Sequence, residues 1–338
     1  MSTTRVGVIG YGYWGPNLAR NFNEISTSEL IVIADQKEEQ LNRARAKYPD
    51  IALTKDYKDL FNMDLDAVIV STPPKTHHPI AKDCLAHNLH VLVEKPMTLN
   101  SRDAEDIIEM ANAKSLILMV GHIFQYNSAV VEMKKYIDSK ELGDLYYIDT
   151  ARLNLGLFQR DLNVLWDLAP HDISILLYLL DQTPVSVSAH GMTCVTKGVI
   201  DVAYLNIFFP NDLQTSIHVS WLDPCKVRRV TVVGSKKMAV YNDLGIDGKI
   251  KIYDKGVDAP DYTDSFGEFQ YAYRSGDINI PSFRFVEPLR EECQHFIDCI
   301  ANKNEPRSSG LNGLHTIKIL EAAERSLSNG SNREDIQW

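Results

Sequence analysis

Cysteine is scarce. The 338 residues hold five, Cys84, Cys194, Cys225, Cys293 and Cys299, and no two stand at C-x-x-C spacing. This excludes a thiolate zinc ribbon or a disulfide framework, and free thiols point to a reducing, cytoplasmic setting. Long apolar runs are missing too. The longest, such as Leu116–Val120, run about five residues, against the roughly 20 that span a bilayer. Met1–Arg5 carries no cationic stretch leading into an apolar one, so no secretory signal and no membrane association are expected. Positive charge is in deficit: 35 Lys and Arg against 45 Asp and Glu give 35 − 45 = −10. A protein that grips nucleic acid needs a basic stripe, so no nucleic acid partner is expected. Small anionic ligands stay open, because a few backbone N–H groups hold a phosphate whatever the global charge. His77, His78, His122 and His218 fall at no metal-ligand spacing, and no metal is expected.

What remains is an ordinary globular balance, 44% hydrophobic and 24% charged. The length gives a prior of about two domains at about 150 residues each. Up to Gly121, short apolar runs (Arg5–Ile9, Leu30–Ala34, Ala67–Val70, His90–Val93, Leu116–Val120) alternate with helical patterns over Trp14–Ile25, Gln36–Tyr48, Thr76–His87 and Ser101–Lys114. Strands buried on both faces of a parallel sheet have this continuous apolar character, and the alternation predicts a doubly wound α/β domain over 1–121. Residues 122–338 differ. A helix over about Asn127–Ser139 leads into longer, alternating strands. Asp201–Phe209 and Leu213–Leu222 flank Pro210-Asn211-Asp212, a hairpin signal. Val227–Val233, Lys237–Tyr241 and Lys249–Tyr253 continue as antiparallel strands, with one helix at Asp172–Asp181, a long loop over 254–285 and two closing helices. The expected fold class is α/β: a dinucleotide-binding domain, then an α+β domain with a large, mainly antiparallel sheet. The closing helices pack in the second domain or back on the first.

Gly10-Tyr11-Gly12-Tyr13-Trp14-Gly15 is a G-x-G-x-x-G run lying directly between the strand Val6–Ile9 and a helix. The first glycine makes the tight turn, the second admits a pyrophosphate and the third lets helix and strand pack closely. The helix N-terminus then faces the phosphates. Asp35, twenty residues after Gly15, ends the next strand, where a carboxylate accepts from adenosine ribose hydroxyls. It would repel a 2′-phosphate, and Gln36 supplies no cation, so the expected cofactor is NAD rather than NADP. Ser71-Thr72-Pro73-Pro74 and Glu94-Lys95-Pro96 follow the strands Ala67–Val70 and His90–Val93, at the carboxyl ends where such folds bind ligands.

Gly10–Gly15, Ser71–Pro74 with Thr76 and His77, Glu94-Lys95-Pro96 and Asp167-Leu-Ala-Pro-His171 together resemble the Gfo/Idh/MocA family of NAD(P)-dependent oxidoreductases. The resemblance spans residues 10 to 171 and implies a Rossmann domain, a substrate domain and an active site of Lys95, Asp167 and His171. Ala169 departs from the glycine often found there, which removes no reactive group. The cofactor set it implies is Gly10, Tyr11, Gly12, Tyr13, Trp14, Gly15, Asp35, Ser71, Thr72, Pro73, Pro74, His77, Glu94 and Lys95, with Trp166 as a wall against the nicotinamide. Such a reaction needs a base for the hydroxyl proton and a donor for its oxygen. An imidazole, with a reference pKa near 6.5, suits the first role, so His171 is the expected acid/base. Lys95 polarises the oxygen and Asp167 orients a partner. His171 also fits as an N-terminal helical residue beside an Asp172 N-cap.

Three stretches, Gly10–Arg20, Gly121–Asn127 and Leu165–Ser174, further resemble bacterial nucleotide-sugar 3-dehydrogenases. That resemblance implies oxidation at C3 of UDP-N-acetylglucosamine or a related UDP- or dTDP-sugar. Lys95, Asn127, Arg152, Arg160, Asp167 and His171 would be the substrate contacts. Arg228 and Arg229 are further candidates for the diphosphate, at most one of them facing the site, and Tyr146 or Tyr147 for the base. An NAD-dependent polyol or inositol dehydrogenase and a non-catalytic NAD-binding regulator are the alternatives. Apolar residues on both alternating sets of Asp201–Phe209 leave neither sheet face fully solvated, and a homodimer or homotetramer is expected.

Overall fold

The protein is described by a computed structural model over residues 3–156, 158, 162–258 and 272–338. Its first five apolar runs, with Ala52–Thr54, a short strand outside the sequence expectation, become β1 (Thr4–Ile9), β2 (Ser28–Ala34), β3 (Ala52–Thr54), β4 (Ala67–Val70), β5 (His90–Val93) and β6 (Leu118–Val120). Between them lie α1 (Gly15–Glu24), α2 (Glu38–Lys47), α3 (His77–Ala86) and α4 (Ser101–Ala113). All six strands pair in parallel, in the order β3-β2-β1-β4-β5-β6. Every residue of β4 is buried, as a central strand covered on both faces requires. The order reverses between β1 and β4, so the chain leaves their carboxyl ends in opposite directions and opens a crevice there. Gly10 and Ser71 sit at that crevice.

A 3-10 turn (Ile123–Tyr126) and α5 (Ser128–Asp138) follow. Then come β7 (Leu145–Leu155), α6 (Val164–Leu180), β8 (Ser186–Met192), β9 (Val202–Phe208), β10 (Gln214–Ser220) and β11 (Leu222–Gly234). β12 (Met238–Asn242), β13 (Ile250–Asp258), β14 (Ala272–Asn279), α7 (Pro288–Asn302), α8 (Gly310–Ser328) and β15 (Glu334–Asp335) complete the chain. The second sheet has nine strands, ordered β14-β13-β12-β11-β7-β10-β9-β8-β15. Only the central β7–β10 pair is parallel. In the hairpin of β9 and β10, Asn211 and Asp212 take φ of 60° and 59°, the left-handed pair that a tight hairpin turn needs. Ala203, Leu205 and Ile207 of β9 and Ile217 and Val219 of β10 face α6, all at most 1% exposed.

Two compact units emerge, Met1–Asn127 with Val286–Glu321 and Trp338, and Ser128–Phe285 with Ala322–Gln337. The first thus extends past Gly121 because the 3-10 turn is tied into it: Gln125 Nε2 donates to Asn312 Oδ1 at 2.7 Å, and Arg307 donates to the Gln125 carbonyl at 2.7 Å. α7 packs on α1 within this unit, with Phe296 edge-on to Phe22 at 6.3 Å. β7, at the centre of the second sheet, β8 and β15 are strands outside the sequence expectation, and two further elements differ from it. α6 starts two turns before Asp172, at an Asn163 cap that accepts from the Trp166 N–H at 3.1 Å, and it carries Pro170 in its interior. Asp172 is therefore no N-cap. The expected loop 254–285 instead contains the end of β13 and all of β14, which pair with each other.

Candidate active site

The first unit supplies a dinucleotide cradle. Gly10 has φ +96°, and a Cβ there would come within 2.7 Å of the Ser71 carbonyl oxygen. A Cβ at Gly15 would strike the Gly10 carbonyl, so α1 can start this close to β1 only with glycine. At Gly12 a Cβ would meet nothing within 4 Å, so the loop presents bare backbone to open space, as a bound pyrophosphate requires. Asp35 accepts from the Tyr11 N–H at 2.7 Å and the Lys37 N–H at 2.8 Å. Its carboxylate anchors the loop and keeps lone pairs for ribose hydroxyls. Tyr11 is buried under the loop, whereas Tyr13 is 87% exposed and stacks on the half-buried Trp14 at 6.4 Å.

The β4 and β5 ends are joined. Ser71 Oγ donates to the Gly10 carbonyl at 2.8 Å, and Thr76 donates to Thr72 Oγ1 at 2.8 Å. Pro73 and Pro74 open the 3-10 turn that precedes α3. His77 is 1% exposed, with Nε2 2.7 Å from the Thr72 carbonyl and Nδ1 2.9 Å from the Pro96 carbonyl. Burial, and then the Lys95 charge, hold its pKa down. Expected beside the cofactor, His77 instead braces the two loops from within. Lys95 stands half-buried just beyond it, its N–H donating to Glu94 Oε2 at 3.2 Å. Burial lifts Glu94 up to about 7, against the lowering pull of Lys95 and of a hydrogen bond from Trp14.

The second unit supplies the other proposed reactive groups. Asp167 and His171 lie one turn apart on α6, hence on one face, and both are half-buried. Trp221 directly follows β10. Its indole N–H donates to Asp167 Oδ2 at 3.1 Å, and its carbonyl accepts from Gly156 at 2.9 Å. A Cβ on Gly156 would come within 2.7 Å of the Trp221 ring, so the glycine makes room for the indole. Neither residue belongs to a motif, and only their pairing across strands reveals them.

Several expected contacts are placed elsewhere. Arg152 is 5% exposed, and its guanidinium grips Asp172, Nε to Oδ2 at 2.6 Å and Nη2 to Oδ1 at 3.3 Å. It is an interior strut between β7 and α6 rather than an exposed diphosphate donor. Trp166, expected as a wall against the nicotinamide, is 6% exposed and donates to Glu324 Oε1 at 2.7 Å, which places it in the core of the second unit. Asn127, 4% exposed, closes the 3-10 turn. Arg228 pairs with Asp243 at 3.2 Å and Arg229 with Asp149 at 3.8 Å. Tyr146 and Tyr147 are exposed. Arg160 lies outside the described residues. No cluster of His, Cys, Asp and Glu suited to a metal occurs among the described residues, and none of their helices is long and apolar enough to cross a membrane.

Comparison with known proteins agrees with this geometry. Residues 4–122 match the oxidoreductase family with an NAD-binding Rossmann fold, and residues 130–240 match the GFO/IDH/MocA C-terminal domain. A UDP-N-acetylglucosamine 3-dehydrogenase of Acidithiobacillus ferrooxidans is 31% identical over 259 residues, covering 75% of this chain and 78% of that protein. A myo-inositol 2-dehydrogenase of Thermotoga maritima is 25% identical over 339 residues, covering 96% of each. A solved structure of the Acidithiobacillus enzyme superposes with a TM-score of 0.77 at 25% identity, over 97% of this chain and 100% of that one. The two family matches and the 31% identity over three quarters of the chain, with the glycine cradle and two-sheet architecture, make this chain a member of the Gfo/Idh/MocA family of oxidoreductases, with NAD as its cofactor.

Proposed function

We propose that the protein oxidises a secondary hydroxyl of a nucleotide sugar, at C3 of UDP-N-acetylglucosamine or a related UDP- or dTDP-sugar, giving a 3-keto product. The observation that carries this reading is the 31% identity to a 3-dehydrogenase of that substrate over 75% of the chain, which spans the E-K-P lysine and the α6 pair. NAD, when bound, accepts the hydride. His171 takes the hydroxyl proton, Lys95 polarises the reacting oxygen, and Asp167, steadied by Trp221, orients the sugar. Asp35, with no cation beside it at Gln36, supports NAD over NADP. An inositol or polyol substrate is the second reading, favoured by the alignment with a myo-inositol dehydrogenase over 96% of the chain. The test is NADH formation with UDP-N-acetylglucosamine beside myo-inositol. Turnover of the nucleotide sugar alone supports the first reading, turnover of inositol alone the second. No turnover of any sugar, with NAD still bound, sinks both and favours a regulator.

The second sheet supports self-association. Tyr204, 42% exposed, stacks on His218 at 4.1 Å, and Tyr147, 49% exposed, lies on the same side, away from α6. A second copy burying this face would give the homodimer or homotetramer.

A further inference from the structure

Within the second unit Trp221 is tied from both its backbone and its ring. Its main-chain N–H donates to the Asp201 carbonyl at 3.0 Å, its carbonyl accepts from the Gly156 N–H at 2.9 Å, and its indole N–H donates to Asp167 Oδ2 at 3.1 Å. Asp201 is no loose anchor. It is 0% exposed, and its carboxylate accepts from the Cys194 N–H at 3.0 Å and the Val195 N–H at 2.8 Å. The indole, 1% exposed, is thus fixed before any ligand arrives.

One side chain rests on that indole and stays open to solvent. Phe158, two residues beyond Gly156, meets the Trp221 ring edge to face, with centroids 5.5 Å apart and planes at 60°, yet it is 39% exposed. Regular pairing breaks off beside it. Leu222 pairs with Leu155 but Val227 with Leu153, so residues 223–226 of β11 bulge out at this end of β7. Bulges are common beside binding sites, where they end the ladder. A lone exposed phenylalanine is ordinary on a surface. This one differs in its seat, which is the ring whose N–H holds the Asp167 carboxylate. A sugar hydroxyl on Asp167 leaves the C–H face of the same sugar in need of an apolar partner. Ligand sites join a few polar groups to aromatic walls in this way.

We propose that Phe158 is a substrate-binding residue: its exposed ring packs against the apolar C–H face of the sugar whose hydroxyl Asp167 orients. The proposal rests on the sugar-dehydrogenase reading of that carboxylate. The test is calorimetric titration of ligand into enzyme loaded with NADH, which reads binding without turnover. Phe158→Ala is expected to weaken UDP-N-acetylglucosamine binding about tenfold, as loss of one aromatic contact implies. Phe158→Tyr, which keeps the ring, recovers most of that affinity. UDP alone binds Phe158→Ala as it binds wild type, and the loss in kcat/KM appears in KM rather than kcat. Equal weakening of UDP and of the nucleotide sugar would put the ring on the base and overturn the proposal. So would unchanged sugar affinity in Phe158→Ala, or a fall in kcat alone, which would make Phe158 a mere prop for Trp221. Should Phe158→Ala fail to fold, Phe158→Leu, which keeps bulk and lacks the ring, decides by the same titration. If wild type binds and oxidises myo-inositol and not the nucleotide sugar, the substrate assignment fails, and the titrations with inositol still decide on Phe158. A wild type that binds neither sugar overturns both.

Discussion

Asp35 serves two structures at once. Its carboxylate takes the Tyr11 and Lys37 amides and, in the proposed function, also receives the ribose hydroxyls. Asp35→Asn keeps an acceptor and removes the charge that repels a 2′-phosphate. The ratio of kcat/KM for NAD over NADP should fall about tenfold, equivalent to about 1.4 kcal/mol, read from initial rates with each cofactor. Asp35→Gly also frees the loop, so affinity for both cofactors should drop. At the reactive positions, His171→Ala and Lys95→Ala should each lower kcat by about 10²- to 10⁴-fold with NAD binding intact by fluorescence titration. Near-normal turnover in either variant would show that its role is misassigned.

At the scale of elements, α6 presents Asp167 and His171 only because two neighbours hold it. Asp172→Ala would break the buried ion pair with Arg152 between β7 and α6, and should cost about 3–5 kcal/mol in urea unfolding. Gly156→Ala should cost about 1–3 kcal/mol by forcing the Trp221 ring away, with a rise in substrate KM as the indole N–H moves off Asp167. Unchanged stability and KM would mean that the ring is not fixed by this glycine. The first sheet was legible because its strands are continuous apolar runs and its glycines sit at obligatory turns. The start of α6 was hidden by Pro170, which argues against a helix, although Asn163 with the Val164–Trp166 run behind it carried a readable cap signal. Arg152, His77 and Trp166 were legible as chemistry but not as placement. Ion pairs and braces depend on partners 20, 19 and 158 residues away, beyond any local pattern.

For the molecule as a whole, the buried groups set a pH response. Burial, and then the Lys95 charge, hold His122 down to about 3 from 6.5, so the folded state binds fewer protons than the unfolded chain between those values. Its contribution is fully present above 6.5 and is lost as pH falls through that window, by about 1.4 kcal/mol per pH unit. Glu94, lifted from 4.5 to about 7, acts oppositely and weakens the fold as pH rises between those values. The two slopes oppose each other from 4.5 to 6.5, and below 4.5 His122 acts without that offset. Chemical unfolding of His122→Gln between pH 3.5 and 4.5 should therefore show a shallower loss than the wild type, and equal slopes would contradict the assignment. If the open face of the second sheet is the self-association surface, Tyr204→Asp should lower the mass measured by light scattering while each chain still melts cooperatively. The backbone passes from one unit to the other after Asn127, after Phe285, inside α8 and again before Trp338. Neither unit is a continuous piece of sequence. A fragment ending at Asn127 would lack the helix that covers Phe22, so it should aggregate when made alone. It should regain solubility only when a peptide spanning 286–321 is supplied in trans.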